Sequence, residues 1–181
     1  MKNWLTPTFS TKSSASRAGN CYKVVVCVLD AGPLIHLDQL GTAGLLSEMG
    51  TVFCPTVVLS EAEKHRPGIT ARVEFIHVVE PSRSQPARLK TVAGLHAGEL
   101  AALAWAEEFG ADIFLSDDSL AREAAGEMKI KVCGTVGVIL QAVKNGALPA
   151  AEARTLLRRI PADSTLHLKQ ALLDSAIASL R

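Results

Sequence analysis

Four acidic residues define the chemistry open to this chain: Asp30 in VVVCVLDAGPLIHL, Glu61 in PTVVLSEAEKH, Glu99 in HAGELAALAWA and Asp117 in IFLSDDSLAR. Asp30 and Asp117 each directly follow an apolar run of strand type. Glu61 and Glu99 fall on helical patterns. In a parallel sheet such positions point to one edge, where the carboxylates would converge. Carboxylates brought together repel one another, and one or more titrates at a raised pKa unless a cation offsets them. Carboxylate oxygen is the natural ligand of magnesium or manganese, which usually keep several waters as well. One or two such ions can orient water and stabilise the charge that builds on a phosphodiester.

Each acid alone also has a plainer reading. Asp30 can cap the helix that begins beside Pro33, and either Asp117 or Asp118 can cap the helix that follows them. Glu61 sits beside Glu63, Lys64, His65 and Arg66, as surface glutamates do, although Val58 and Ala62 place it near the inward boundary of its helix. Glu99 occupies a first helical turn, where the helix dipole favours negative charge. The joint pattern, more than any single residue, points to a metal site.

The elements that must position these acids alternate. Residues 23–29 are a continuous β-branched run, read as a buried strand. A helix is expected from Pro33 through Leu40, broken near Gly41, with Leu45 and Leu46 continuing the pattern. A short strand follows at Thr51–Cys54, then a helix from Pro55 ending before Pro67-Gly68. Residues 73–79 read as a strand, at an edge of the sheet. A polar loop is expected at Pro81–Pro86 and a helical stretch over 87–93. His96–Phe109 is a strong helix closed by Gly110. Strands at 112–116 and 130–133 alternate with helices at 118–128 and 135–145, and two helices at about 149–159 and 164–180 finish the chain. Such alternation argues for an α/β domain, a three-layer sandwich with a mainly parallel central sheet flanked by helices. Ligands on such sheets bind beyond the carboxyl ends of the strands, near a topological switch point.

A length of 181 residues suits one domain, and aromatics at only 4% leave the core to Leu, Val, Ile and Ala. The net charge of +1 neither favours nor excludes nucleic acid. Its distribution is uneven: residues 1–29 hold Lys2, Lys12, Arg17 and Lys23 and no acid, and residues 121–181 hold nine Lys/Arg against five Asp/Glu. An acidic pocket with basic flanks suits an enzyme that binds metal and then a polyanion. Cys21, Cys27, Cys54 and Cys133 form no CxxC pair, which argues against zinc and fits a reducing cytoplasm. No apolar run approaches the roughly 18 residues of a membrane span. Residues 1–22, Ser/Thr-rich and basic, read as a disordered tail or an overextended start.

Other chemistries lack their motifs. There is no GxxxxGK[ST] loop, no GxGxxG and no GxSxG elbow, and the five histidines are scattered. His36 reads as a helix-face residue. Gly134-Thr135-Val136-Gly137 lies at a strand-to-helix turn and either offers amides to a phosphate or simply makes the turn and caps the helix.

Five blocks in order resemble the PIN-domain family of nucleases: Leu29-Asp30-Ala31-Gly32-Pro33-Leu34-Ile35, Pro55–Glu61, Gly98-Glu99, Leu115-Ser116-Asp117-Asp118 and Val132–Gly137. The match runs over about residues 24–148 and is similar to a prokaryotic subgroup that includes toxin-type ribonucleases. It implies a nuclease domain at 23–148, and the apolar residues Leu166, Leu172, Leu173, Ile177 and Leu180 read as a C-terminal helical extension at 149–181 packed on it. It implies hydrolysis of RNA at an acidic pocket holding magnesium or manganese. By the same resemblance Asp30, Glu61, Glu99 and Asp117 are catalytic, Asp30, Glu99 and Asp117 hold the ion directly or through water, and Asp118 is a helper. The third acid is commonly Asp in the family and is Glu99 here. Many relatives are toxins held inactive by a small antitoxin protein, others stand alone, and some have lost activity. A catalytically inactive RNA- or protein-binding module is the alternative. A homodimer is a further expectation, and a membrane partner is not.

Overall fold

Val26–Leu29 (β1) is apolar throughout and fully buried from Cys27 onward, which is what a strand covered on both faces requires. The computed structural model, which describes residues 24–82, 89 and 94–180, places this strand at the centre of a five-stranded sheet. The other strands are Thr51–Pro55 (β2), His77–Val79 (β3), Ile113–Leu115 (β4) and Lys131–Cys133 (β5). Their order is β3-β2-β1-β4-β5, and every pairing is parallel. Val28 stands beside Phe53 on one side and Phe114 on the other, and Leu29 beside Leu115.

The helices are Ala31–Gln39 (α1), Thr56–His65 (α2), Ile69–Arg72 (α3), Ala97–Phe109 (α4), Ser119–Glu127 (α5), Thr135–Lys144 (α6), Ala150–Asp163 (α7) and Gln170–Ser179 (α8), with a 3-10 segment at Ala43–Met49. They flank the sheet to give the three-layer α/β sandwich. The chain steps from β1 outward through β2 to β3, then returns across β1 to β4 and β5. The switch point therefore lies between β1 and β4, whose carboxyl ends are followed by Asp30 and by Ser116-Asp117. Asp30 N donates to Leu115 O at 2.9 Å and ties those ends together, and Ser116 N donates to Cys133 O at 3.0 Å and ties β4 to β5.

One core serves the domain and the C-terminal helices alike. Leu29, Leu34, Leu37, Leu103, Phe114 and Ile139 are fully buried, and so are Leu157 and Ile160 of α7. Leu173 and Ala176 of α8 join the same cluster. Among the described residues, no helix is long and apolar enough to cross a membrane. Cys27, Cys54 and Cys133 are free thiols, and burial pushes the first two up to about 12, which leaves them unreactive.

Three expected elements differ. The strand expected at 73–79 is reduced to His77–Val79, because the chain first makes α3 and a tight turn in which Ile76 N donates to Val73 O. The Glu63 carboxylate drives that turn-rich path by accepting Gly68 N at 2.6 Å and Thr70 N at 3.1 Å. The helix expected from 164 starts only at Gln170, since Ser164 is extended and ends α7, and the Ser164 hydroxyl accepts Leu166 N. Helix α1 starts two residues before Pro33 instead of at it. The loop expected at Pro81–Pro86 and the helical stretch at 87–93 lie largely outside the described residues.

Candidate carboxylate site

All four acids converge. Asp30, Glu61, Glu99 and Asp117, with Asp118 beside them, line one cavity of about 320 Å³ at the switch point. A larger groove of about 390 Å³ lies between α2, α3 and β3, but its one carboxylate, Glu63, is bound to Gly68 and Thr70. The acids gather at the smaller cavity.

Asp30 links β1 to α1 and is only 5% exposed. It occupies the cap position with extended backbone, yet its side chain makes no cap hydrogen bond. Its Oδ2 instead accepts the buried Ser116 hydroxyl at 2.9 Å. Burial pushes its carboxyl up to about 6; the Ala31 amide and the Ser116 hydroxyl oppose the rise, and repulsion from Glu99 and Glu61 adds to it. The capping reading therefore fails for Asp30. It holds for Asp118, whose Oδ1 accepts Ala121 N at 2.9 Å and starts α5.

Glu99 lies in the first turn of α4 and is 8% exposed. Its Oε2 accepts the His96 backbone amide at 2.8 Å, which closes the helix start and fixes the side chain. Burial raises its pKa; the His96 amide opposes this, and Asp118 and Glu61 add repulsion. Glu61 reaches the cavity from α2. A Cβ on Gly98 would stand 2.8 Å from Glu61 Oε2, so the absence of a side chain at 98 is what gives Glu61 its place.

Asp117 has a different environment. Its Oδ1 accepts Thr135 N at 2.9 Å, and its Oδ2 accepts the Thr135 hydroxyl at 2.5 Å and faces His36 Nδ1 at 2.9 Å. Burial would raise its pKa, but the His36 and Thr135 bonds together hold it below the ordinary value. An ionised carboxylate thus occupies the N-terminus of α6, where an anion is favoured. This answers the reading of Gly134–Gly137 as a phosphate loop: its first helical amide is already taken by Asp117. A Cβ on Gly134 would collide with Asp117 Oδ1, which accounts for glycine there.

The positioning residues Ser116, Thr135 and His36 were not legible as such. Ser116 is visible only as a small polar residue between strand and acid. Thr135 carries the signal of a helix start, but its partner lies 18 residues away. The C-terminal connection also enters the site, for Thr165, Leu166 and His167 line the cavity.

The donor set suits a hard divalent cation: carboxylate oxygens, two of them raised in pKa by burial and mutual repulsion, in a pocket at a sheet edge. Among the described residues, no group of three or more acidic, histidine or cysteine side chains is arranged to hold one ion. Magnesium requires no such trio, since it is commonly bound through one or two carboxylates and retained waters.

The chain belongs to the DUF3368 family of PIN domains, whose model matches residues 26–181. PIN domains are generally nucleases and generally use divalent metals. Among solved structures the chain is similar to a PilT N-terminus domain protein from the hyperthermophilic archaeon Sulfolobus solfataricus P2. The two are 16% identical, with a TM-score of 0.47, over 63% of this chain and 90% of that one. No curated protein matches it.

Proposed function

We propose that the protein is a magnesium- or manganese-dependent endoribonuclease that hydrolyses RNA phosphodiester bonds at the cavity between β1 and β4. The observation that carries this reading is the gathering of Asp30, Glu61, Glu99, Asp117 and Asp118 around one cavity in a chain of the PIN-domain family. Asp30, Glu99 and Asp117 are the residues that would hold the ion, directly or through water, with Asp118 auxiliary. When bound, the ion supplies the positive charge that offsets both these carboxylates and the attacked phosphate.

The remaining roles fall to the chain itself. Glu61 orients the attacking water. Ser116 holds Asp30 and Thr135 holds Asp117, so that neither carboxylate must reorganise as substrate binds. His36 fixes the outer oxygen of Asp117 and closes that side of the cavity.

The test is cleavage of a mixed RNA panel by wild type and Asp30→Asn, with manganese and with chelator. Cleavage by wild type alone, abolished by chelator, supports the reading. Equal cleavage by the variant contradicts it. A catalytically inactive PIN-like module is the second reading, favoured by the lack of a prearranged ligand trio among the described residues. A well-folded wild type that binds RNA or a protein and cleaves nothing would select it. A toxin role, with a small antitoxin protein as partner, rests on the family resemblance, as does a homodimer. Growth arrest on expression, abolished by Asp30→Asn, tests the toxin role.

A further inference from the structure

The carboxylate cavity has a wall that does not come from the α/β layers. Thr165, Leu166 and His167, in the connection between α7 and α8, line it together with the acids. We infer that this connection is a clamp for the substrate backbone, in which His167 donates a hydrogen bond to a phosphodiester oxygen of RNA seated at the cavity. The inference rests on the ribonuclease reading and adds to it a binding residue and a role for the C-terminal helices.

Charge is the first argument. A polyanion entering a cavity lined by carboxylates needs donors, and no Lys or Arg lines this one among the described residues. The side-chain donors on its wall are His36, His96, His167 and Thr165. His36 is engaged with Asp117, and the His96 side chain belongs to the capping box that starts α4. Thr165 has its hydroxyl on Gln39. His167 is exposed, and among the described residues it makes no hydrogen bond or ion pair.

Rigidity is the second. The connection bends at Thr165, and the residues just before His167 are held in place. Thr165 N donates to Gln39 Oε1 of α1 at 2.9 Å, and the Thr165 hydroxyl to the same oxygen at 3.2 Å. Leu166 is buried in the core at 8% exposure, and Leu166 N donates to Ser164 Oγ at 3.3 Å. Ser164 Oγ in turn donates to Ile160 O at 2.9 Å. A donor presented by a fixed backbone loses little freedom when substrate binds, which is what a positioning contact needs. The helices that carry the connection are themselves anchored, by Leu157 and Ile160 before it and Leu173 and Ala176 after it.

The experiment is steady-state cleavage of a short single-stranded RNA with manganese by wild type, His167→Ala, His167→Gln and Gln39→Ala. Binding of the same RNA is measured in parallel, in chelator, by fluorescence anisotropy. Loss of one hydrogen bond to a charged oxygen predicts that His167→Ala raises KM and weakens binding about tenfold, with kcat within about twofold. His167→Gln, which keeps an N–H donor, restores most of the affinity. Gln39→Ala, which frees the connection, raises KM in the same direction. A wild-type KM for His167→Ala, or a fall in kcat with KM unchanged, overturns the clamp and leaves the ribonuclease reading standing. A wild type that neither cleaves nor binds RNA overturns both.

Discussion

The Asp117 carboxylate is seated on Thr135: Oδ1 takes its backbone amide at 2.9 Å and Oδ2 its hydroxyl at 2.5 Å. The bond spans the ends of β4 and β5 and fixes one wall of the cavity. Thr135→Val keeps the shape of this fully buried residue and removes the hydroxyl donor. The expected loss is about 1–2 kcal/mol of stability and about tenfold in cleavage rate. Thr135→Ser, which retains the hydroxyl, stays close to wild type in both. Chemical denaturation and RNA cleavage read the pair.

Gly98 separates activity from stability. An added Cβ meets Glu61 Oε2 at 2.8 Å and only ordinary contact at Val58, 3.5 Å away. Gly98→Ala therefore displaces the Glu61 side chain while improving helix propensity in α4 by up to about 1 kcal/mol. Cleavage falls and the unfolding midpoint holds or rises. A variant that loses stability and activity together would show that Glu61 was not the group affected.

Asp30 is held at a cost to the fold. Its folded-state carboxyl is pushed up to about 6 from an ordinary 3.8, so folding favours the protonated form. That contribution is complete below the ordinary value and is lost as pH rises through the folded value. Stability of the metal-free protein should therefore decline from about pH 4 to pH 6, by up to roughly 2–3 kcal/mol from this group. Glu99 shifts in the same direction. Asp30→Asn, uncharged throughout, flattens the decline and is more stable than wild type at pH 7 while cleaving nothing. Thermal melts of both proteins across this range in chelator check it.

Asp38 behaves in the opposite sense. It is buried in α1, and it accepts Arg72 Nε at 2.6 Å and Arg66 Nε at 2.7 Å, which ties α1 to the segment after α2 and to α3. Burial pushes its carboxyl up, but the bonds from Arg72 and Arg66 outweigh it and hold the pKa below the ordinary value. Its contribution is present above the ordinary carboxylate range and disappears as pH falls through the lowered folded value. Both arginines are substantially exposed, so solvent screening limits the effect. Asp38→Ala is expected to cost about 2 kcal/mol at neutral pH, and less in strong acid, with the cleavage constants of folded protein unchanged.

Asp30, Asp117 and the sheet edge that gathers them were readable because strand periodicity and turn residues locate carboxyl ends without any knowledge of packing, whereas Glu61 and Glu99 lie on helices and were placed by the family resemblance. β1 and β4 end where their apolar runs end, and Asp30 and Asp117 follow directly. The partners of those acids were not readable. Ser116 meets Asp30 across 86 positions and His36 meets Asp117 across 81, and no local pattern specifies such pairings. The same holds for Glu63, which looks like one more surface charge yet organises Gly68 and Thr70 and shortens the expected edge strand. The start of α8 was misjudged for a related reason. Leu166 fits a helical stripe with Leu173 and Ile177, but Gln39, more than 100 positions away, takes the Thr165 amide and holds it out of a helix.

The most direct test of the account is a calorimetric titration of manganese into the wild-type protein and into Asp30→Asn at pH 6, in two buffers of different ionisation enthalpy. Wild type is expected to bind with release of about half a proton from Asp30, because a carboxyl that titrates near 6 is about half protonated at pH 6 and must ionise to hold the ion. The variant is expected to bind far more weakly and without that release. Binding of equal strength to both proteins, or none to a folded wild type, would contradict the claim that these buried carboxylates are gathered to hold a cation.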